Sequence, residues 1–313
     1  MRVIEAKLGE VRAVAVSPDG RFVAACGIEA LGVFHWATGE PVPGARSTGT
    51  AEQVVFAPGS DWFVRALRGA LCPEGVERLP PELPDRGLRF AGGVAVSPDG
   101  KTLVATTHAL LNTTGIPTNQ AKLARWMLTS PPLATKFDLR WTPLILRSIL
   151  GFDDWPPFNR LAFSPNGEFL AGISSSGFEL RFGRTGGIDY RHRMPRGTRF
   201  TVPGFVSFDR DSGTCAFGWE SELYVLGIST GTSKSGPRIE ASFRDAAFLP
   251  SGRHFATVGD DGRLKLWDPR TWKVVREYDW DCGALTALAF SADGSAGVCG
   301  TADGRLVQFD VDE

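Results

Sequence analysis

The heptapeptide VAVSPDG at Val14 to Gly20 returns unchanged at residues 94–100, and looser copies surround it. These end at Gly59 (VVFAPG), Gly167 (LAFSPNG), Gly213 (VSFDRDSG), Gly252 (AAFLPSG) and Gly294 (LAFSADG), so the phrase occurs seven times. Each copy reads apolar, small, apolar, turn. Successive side chains of a strand point to opposite faces, so a bulky face and a small face, as in Leu161-Ala162-Phe163, suit a strand packed on both sides. The Pro-Asp-Gly chemistry that follows makes a tight turn, with Pro presetting φ and Gly accepting φ > 0.

A second beat follows each turn. From the turn glycine to the bulky end of a later strand there are 16 residues to Trp36, 15 to Phe182, 13 to Leu226, 15 to Trp267 and 15 to Phe309. That interval holds a strand, a turn and another strand, with Gly177, Gly262 and Gly304 marking the turns in SSSGFELRF, GDDGRLKLW and TADGRLVQF. A fourth, more polar strand such as WKVVREYDW completes each unit. One small antiparallel sheet cannot bury both faces, whereas seven stacked radially bury one another. The expected fold is all-β: a seven-bladed β-propeller of four-stranded antiparallel blades, one domain over residues 1–313. The last unit, RLVQFDVDE, ends with three strands, and Arg2 to Leu8 precedes the first unit. An N-terminal strand closing the last blade would cover its open edge.

With Trp267-Asp268, the Asp-Gly turns and a period of roughly 40 residues, the units resemble the WD-repeat family along essentially the whole chain. The SPDG phrases and the Ala/Gly/Arg/Pro-rich usage are similar to bacterial members. Family blades are often braced by a turn Asp, a His before the first strand, a Ser or Thr, and the Trp. Here Asp261 and Asp303 hold the turn position, Glu220 and Ser176 replace it elsewhere, and none of His35, His108, His192 or His254 precedes a first strand. Trp267, Asp268, Asp261 and Asp303 are therefore structural repeat positions, with Asp261 and Asp303 in local turn bonds. The resemblance implies a non-catalytic scaffold for a protein or peptide partner.

Composition narrows the classes. Net charge is −1, which withholds the basic field of an electrostatic nucleic-acid binder. The five cysteines lack a CxxC pair, so neither a disulfide framework nor a zinc site is indicated. No continuous apolar stretch suggests a leader or a membrane span, since PLILRSIL is short and broken by Arg147. The expectation is a cytoplasmic monomer without membrane contact. The histidines show no ligand spacing, and GxSxG, phosphate-loop and GxGxxG motifs are absent. No catalytic residue, cofactor or metal is expected.

Function in repeat proteins concentrates where the period breaks. Gly100 to Trp126 spans 26 residues and Trp126 to Gly167 spans 41, placing insertions near 108–120 and 138–157. These connections emerge on one face of a propeller, beside blades 3 and 4. Trp141 and Trp155 in the second insertion read as partner anchors or as a packed cover. Downstream, Arg191, Arg193, Arg196 and Arg199, with Arg181 and Arg184, could meet an acidic partner or simply solvate an outer strand. The alternatives are an enzyme with a central-channel site and a phosphate or nucleic-acid binder acting through Arg181 to Arg199. Acidic residues gather instead in the C-terminal units, from Asp260 to Asp303.

Overall fold

The chain is described as a computed structural model over residues 1–49, 51–59, 61–67, 70–76, 88–109, 121–128, 158–174, 177–184, 187–193, 204–219, 221–230, 232–235 and 243–311. It is an all-β propeller, and no helix occurs among these residues. The strands form seven antiparallel sheets, numbered here in chain order. Sheet 1 holds Val11–Val16, Phe22–Gly27, Ala30–His35 and Pro41–Thr48; sheet 2 holds Ala51–Phe56, Trp62–Leu67 and Ala70–Gly75; sheet 3 holds Leu88–Val96, Thr102–Ala109 and Ala121–Met127. Sheet 4 holds Arg160–Phe163, Phe169–Ser174, Gly177–Phe182 and Ile188–Arg193, and sheet 5 holds Phe205–Phe208, Thr214–Trp219, Glu222–Gly227 and Thr232–Ser235. Sheet 6 holds Phe243–Phe248, Phe255–Gly259, Arg263–Asp268 and Lys273–Asp279. Sheet 7 joins Leu285–Phe290, Ala296–Thr301 and Leu306–Asp310 to the N-terminal strand Arg2–Ile4, with Arg2 opposite Gln308 and Ile4 opposite Leu306.

Every repeated phrase ends the first strand of a sheet. These first strands neighbour one another in chain order, and that of sheet 7 returns to that of sheet 1. The core divides accordingly into seven clusters, one between each adjacent pair of sheets. Alternation makes this division: on the second strand of sheet 1, Val23 and Ala25 pack toward sheet 7, while Ala24 and Cys26 pack toward sheet 2. The second strands are consequently buried throughout, as in Phe22–Gly27 and Ala296–Thr301. Phe178 of sheet 4 stacks on Phe217 of sheet 5 at 3.8 Å between centroids, and the Trp219 indole donates to the Ser174 carbonyl at 2.8 Å.

Four of the turns after the first strands, in sheets 1, 3, 4 and 7, share one polar device. Ser17 Oγ donates to Asp19 Oδ1 (2.6 Å) and accepts the Phe22 N–H (2.9 Å), while Asp19 Oδ1 accepts the Arg21 N–H (3.1 Å). The same set recurs at Ser97 with Asp99, Ser164 with Asn166, and Ser291 with Asp293. In sheet 5 the Asp209 carboxylate takes the serine's part and accepts the Thr214 N–H at 3.0 Å. Gly20 and Gly294 adopt φ of 70° and 74°, which a side chain would strain.

These bonds favour the charged carboxylate. The Ser291 hydroxyl, then the Ser295 N–H and hydroxyl, hold Asp293 down to about 2 from an ordinary 3.8. At Asp19 burial pushes upward, but the Ser17 hydroxyl and Arg21 outweigh it and bring the group to about 2 as well. A carboxylate lowered in the folded state adds stability that is complete above its unfolded value and is lost as pH falls toward the folded one. The melting temperature should therefore drop as pH falls from about 4 to about 2. An Asp19→Asn, Asp293→Asn double variant should show a shallower drop; an identical pH slope would exclude these turns as the source.

Candidate functional site

The hub is built by polar residues standing in otherwise apolar first strands. These strands carry a β-bulge between Ala51 and Gln53 and between Phe243 and Asp245, which turns the residue that follows. Gln53 of sheet 2 uses Oε1 to accept the Val94 N–H of sheet 3 (3.1 Å) and the Leu161 N–H of sheet 4 (3.2 Å); its Nε2 donates to the Leu161 carbonyl (2.8 Å). Arg160 of sheet 4 reaches Asp245 Oδ1 of sheet 6 (3.1 Å) and the Arg12 carbonyl of sheet 1 (3.4 Å). Asp245 Oδ1 also accepts the Ala246 N–H, and Oδ2 accepts the Leu288 N–H of sheet 7, each at 3.0 Å. Ser207 of sheet 5 accepts the Phe248 N–H of sheet 6 at 2.9 Å.

All seven sheets are thus tied through four side chains. Gln53 and Arg160 each reach sheets that are not their neighbours, so at this level the centre is spanned by side chains. Both Asp245 oxygens are occupied by donors, leaving this carboxylate a structural acceptor. The sequence signal was present: Gln53, Arg160 and Asp245 each precede an apolar phrase, at the positions before VVF, LAF and AAF.

Residues expected at the rim divide three ways. Trp141, Trp155, Arg196 and Arg199 lie outside the described residues. Arg191 is drawn inward: with Arg181 it pairs with Glu179, a carboxylate only 1% exposed that faces Arg191 across two strands of sheet 4. Removing either guanidinium would leave buried charge poorly compensated. Arg193, at the end of the same outer strand, is exposed. The acidic C-terminal sector is likewise threaded with cations: Arg244 meets Asp260, Lys265 meets Asp261, Arg263 meets Glu277 and Asp279, and Arg305 meets Asp303.

The Trp-Asp pair splits its labour. Trp267 Nε1 donates to Thr257 Oγ1 at 3.0 Å within sheet 6, and Asp268 caps the next turn, accepting the Arg270 N–H (2.8 Å) and the Thr271 hydroxyl (3.0 Å). Asp261 accepts the Arg263 N–H (3.2 Å), and Asp303 accepts the Thr301 hydroxyl (2.5 Å). Burial pushes the Cys26 thiol up to about 12 and raises Cys215 and Cys299 well above the ordinary thiol range, so none of these presents a thiolate. No metal-holding group of His, Cys, Asp or Glu occurs among the described residues.

Sheet 3 differs from the rest. Its first two strands run nine and eight residues, and beyond a bulge at residues 91–93, opposite Thr106, the pairing continues through Thr107 with Phe90 to Ala109 with Leu88. One insertion links Ala109 to Ala121 at this extension; the other leaves from Met127, paired with Thr102 at the opposite end of the sheet, and returns at Phe158, whose carbonyl accepts the Gly93 N–H beside the bulge. Their own residues, 110–120 and 129–157, lie outside the described set.

The fold and its turns define a propeller built from WD-type units. The family model "WD domain, G-beta repeat" matches residues 1–29 and 235–268, which supports WD-type repeats in this chain. It is similar to the U3 small nucleolar RNA-associated protein 18 homolog of Arabidopsis thaliana, with 32% identity over 100 residues. That alignment covers 31% of this chain and 18% of the relative's length. Propellers of this family generally mediate protein–protein contact.

Breaking the hub should be costly. Asp245→Ala strands the partly buried Arg160 and is expected to lower stability by about 3–5 kcal/mol. Pairing it with Arg160→Met should recover part of that loss in denaturant unfolding; additive losses would show that the two groups are not coupled.

Proposed function

We propose that this chain is a non-catalytic docking platform, a single seven-bladed domain over 1–313 whose N-terminal strand closes the last blade. The circular order of first strands and the seven inter-sheet cores support the count; the Arg2–Ile4 ladder on Leu306–Asp310 supports the closure. A protein or peptide partner binds the face beside sheets 3 and 4, where the insertions near 108–120 and 138–157 emerge, with Trp141, Trp155, Arg193, Arg196 and Arg199 as contacts and Arg191 behind them. The observation that supports this reading is the extension of sheet 3 past its bulge, which carries the first insertion and lies beside Phe158, where the second returns. A catalytic hub is disfavoured because its carboxylate, amide and guanidinium are spent holding sheets together. A phosphate site through the arginines is disfavoured because Glu179 engages two of them. The protein works in the cytoplasm as a monomer, without cofactor or metal and without nucleic acid or membrane as its ligand; its composition points to a bacterial source. No helix among the described residues is long and apolar enough to cross a membrane.

Affinity capture with the intact chain and with a variant lacking residues 140–156 tests the docking face. Loss of a specific partner with an unchanged melting temperature is expected; an identical partner set would move the site elsewhere. Removing residues 1–9 should open the ring and lower the melting temperature by more than about 5 °C, whereas an unshifted transition would refute the closure.

A further inference from the structure

The N-terminal segment does more than add a strand. After Ile4 it runs between sheets 7 and 1, where Ala6 and Leu8 are buried in the shared core and Lys7 holds a φ of 55°. Facing it, the outer strand of sheet 1 leaves its ladder: Gly32 pairs with Arg46, but Phe34 pairs with Pro41, so Val42 to Ala45 bow outward. Between the bow and the N-terminal segment lies a cleft of about 330 Å³, floored by Ile4, Ala6, Leu8 and Phe34 of the sheet 7–1 core.

Arg2, Arg46, Glu5 and Glu40 form its rim. Arg2 donates to the carbonyls of Trp36 (3.3 Å) and Ala37 (2.7 Å) and to Gln308 Oε1 (3.5 Å); Arg46 donates to the Lys7 carbonyl (2.9 Å). Backbone acceptors fix both guanidiniums, and among the described residues neither has a carboxylate at ion-pair distance. Glu5 acts electrostatically on Arg305, on the sheet 7 side. The cleft therefore offers an apolar floor with two backbone-anchored cations that are not ion-paired, on a rim that also carries Glu5 and Glu40, at the small end of the range for ligand pockets.

We propose that this cleft is a second docking site, taking an extended peptide segment of a partner protein through one apolar side chain with a carboxylate next to it. The apolar side chain sits on the Ile4, Leu8 and Phe34 floor, and the carboxylate meets the open donors of Arg46. The site lies at the junction of sheets 7 and 1 and is independent of the face beside sheets 3 and 4.

The probes are N-acetyl-Glu-Phe-Glu-amide, its Gln-Phe-Gln counterpart and its Glu-Gly-Glu counterpart, titrated by ligand-observed NMR against the full chain. One apolar anchor and one charge-assisted contact should give a dissociation constant on the order of 1 mM for the first peptide. Each counterpart should bind roughly tenfold more weakly. Arg46→Met should erase the preference for Glu over Gln, and Thr38→Trp, at the exposed mouth of the cleft, should fill it and abolish binding. Glu40→Trp serves in its place if the Thr38 variant does not melt cooperatively. Equal binding of the Glu and Gln peptides, binding that survives the filled cleft, or no binding of any probe would overturn the proposal. Deleting residues 140–156 should leave these titrations unchanged, so failure here and failure of the sheet 3 and 4 face are separable.

Discussion

Two-sided burial is the constraint on which the structure rests. A sheet of four short strands exposes too much apolar surface to stand alone, and this chain answers by giving every sheet a neighbour on each face. Small residues on the first strands, such as Ala15, Ala95 and Ala289, let adjacent sheets converge toward the axis. Larger ones, such as Phe178, Phe217 and Trp219, fill the widening space farther out. Because the sheets are wedges, each depends on the placement of the next.

Polar chemistry is distributed to serve that packing. Serine and aspartate close the turns on one face, and Gln53, Arg160, Asp245 and Ser207 satisfy backbone groups where first strands meet at the hub. A buried polar group is tolerable only when its partners are supplied, and here they are main-chain donors and acceptors of other sheets. This leaves the loops and the outer strands as the surface available to partners.

Local chemistry was legible in the sequence, and long-range side-chain pairing was not. All seven repeated phrases lie at the ends of first strands because alternation and Pro-Asp-Gly turns act over a few residues. The turn bonds of Asp261 and Asp303 are local in the same sense. By contrast, Gln53 meets Leu161 across 108 positions and Arg160 meets Asp245 across 85, so only the folded ring reveals their purpose. Arg191 read as a surface cation because its role depends on the hairpin register that sets it opposite Glu179. The cleft at residues 2–46 was equally hidden, since it arises from a bow in one strand facing a segment from another sheet.

Arg2 opposite Gln308 has a consequence for biosynthesis. Of the ring's strands this one is made earliest, and it must wait for Leu306–Asp310 to leave the ribosome before it finds its ladder. Until then, sheets 1 to 6 form an open arc with an uncovered wedge at each end. Nascent molecules in that state are exposed to pairing with one another through the uncovered faces.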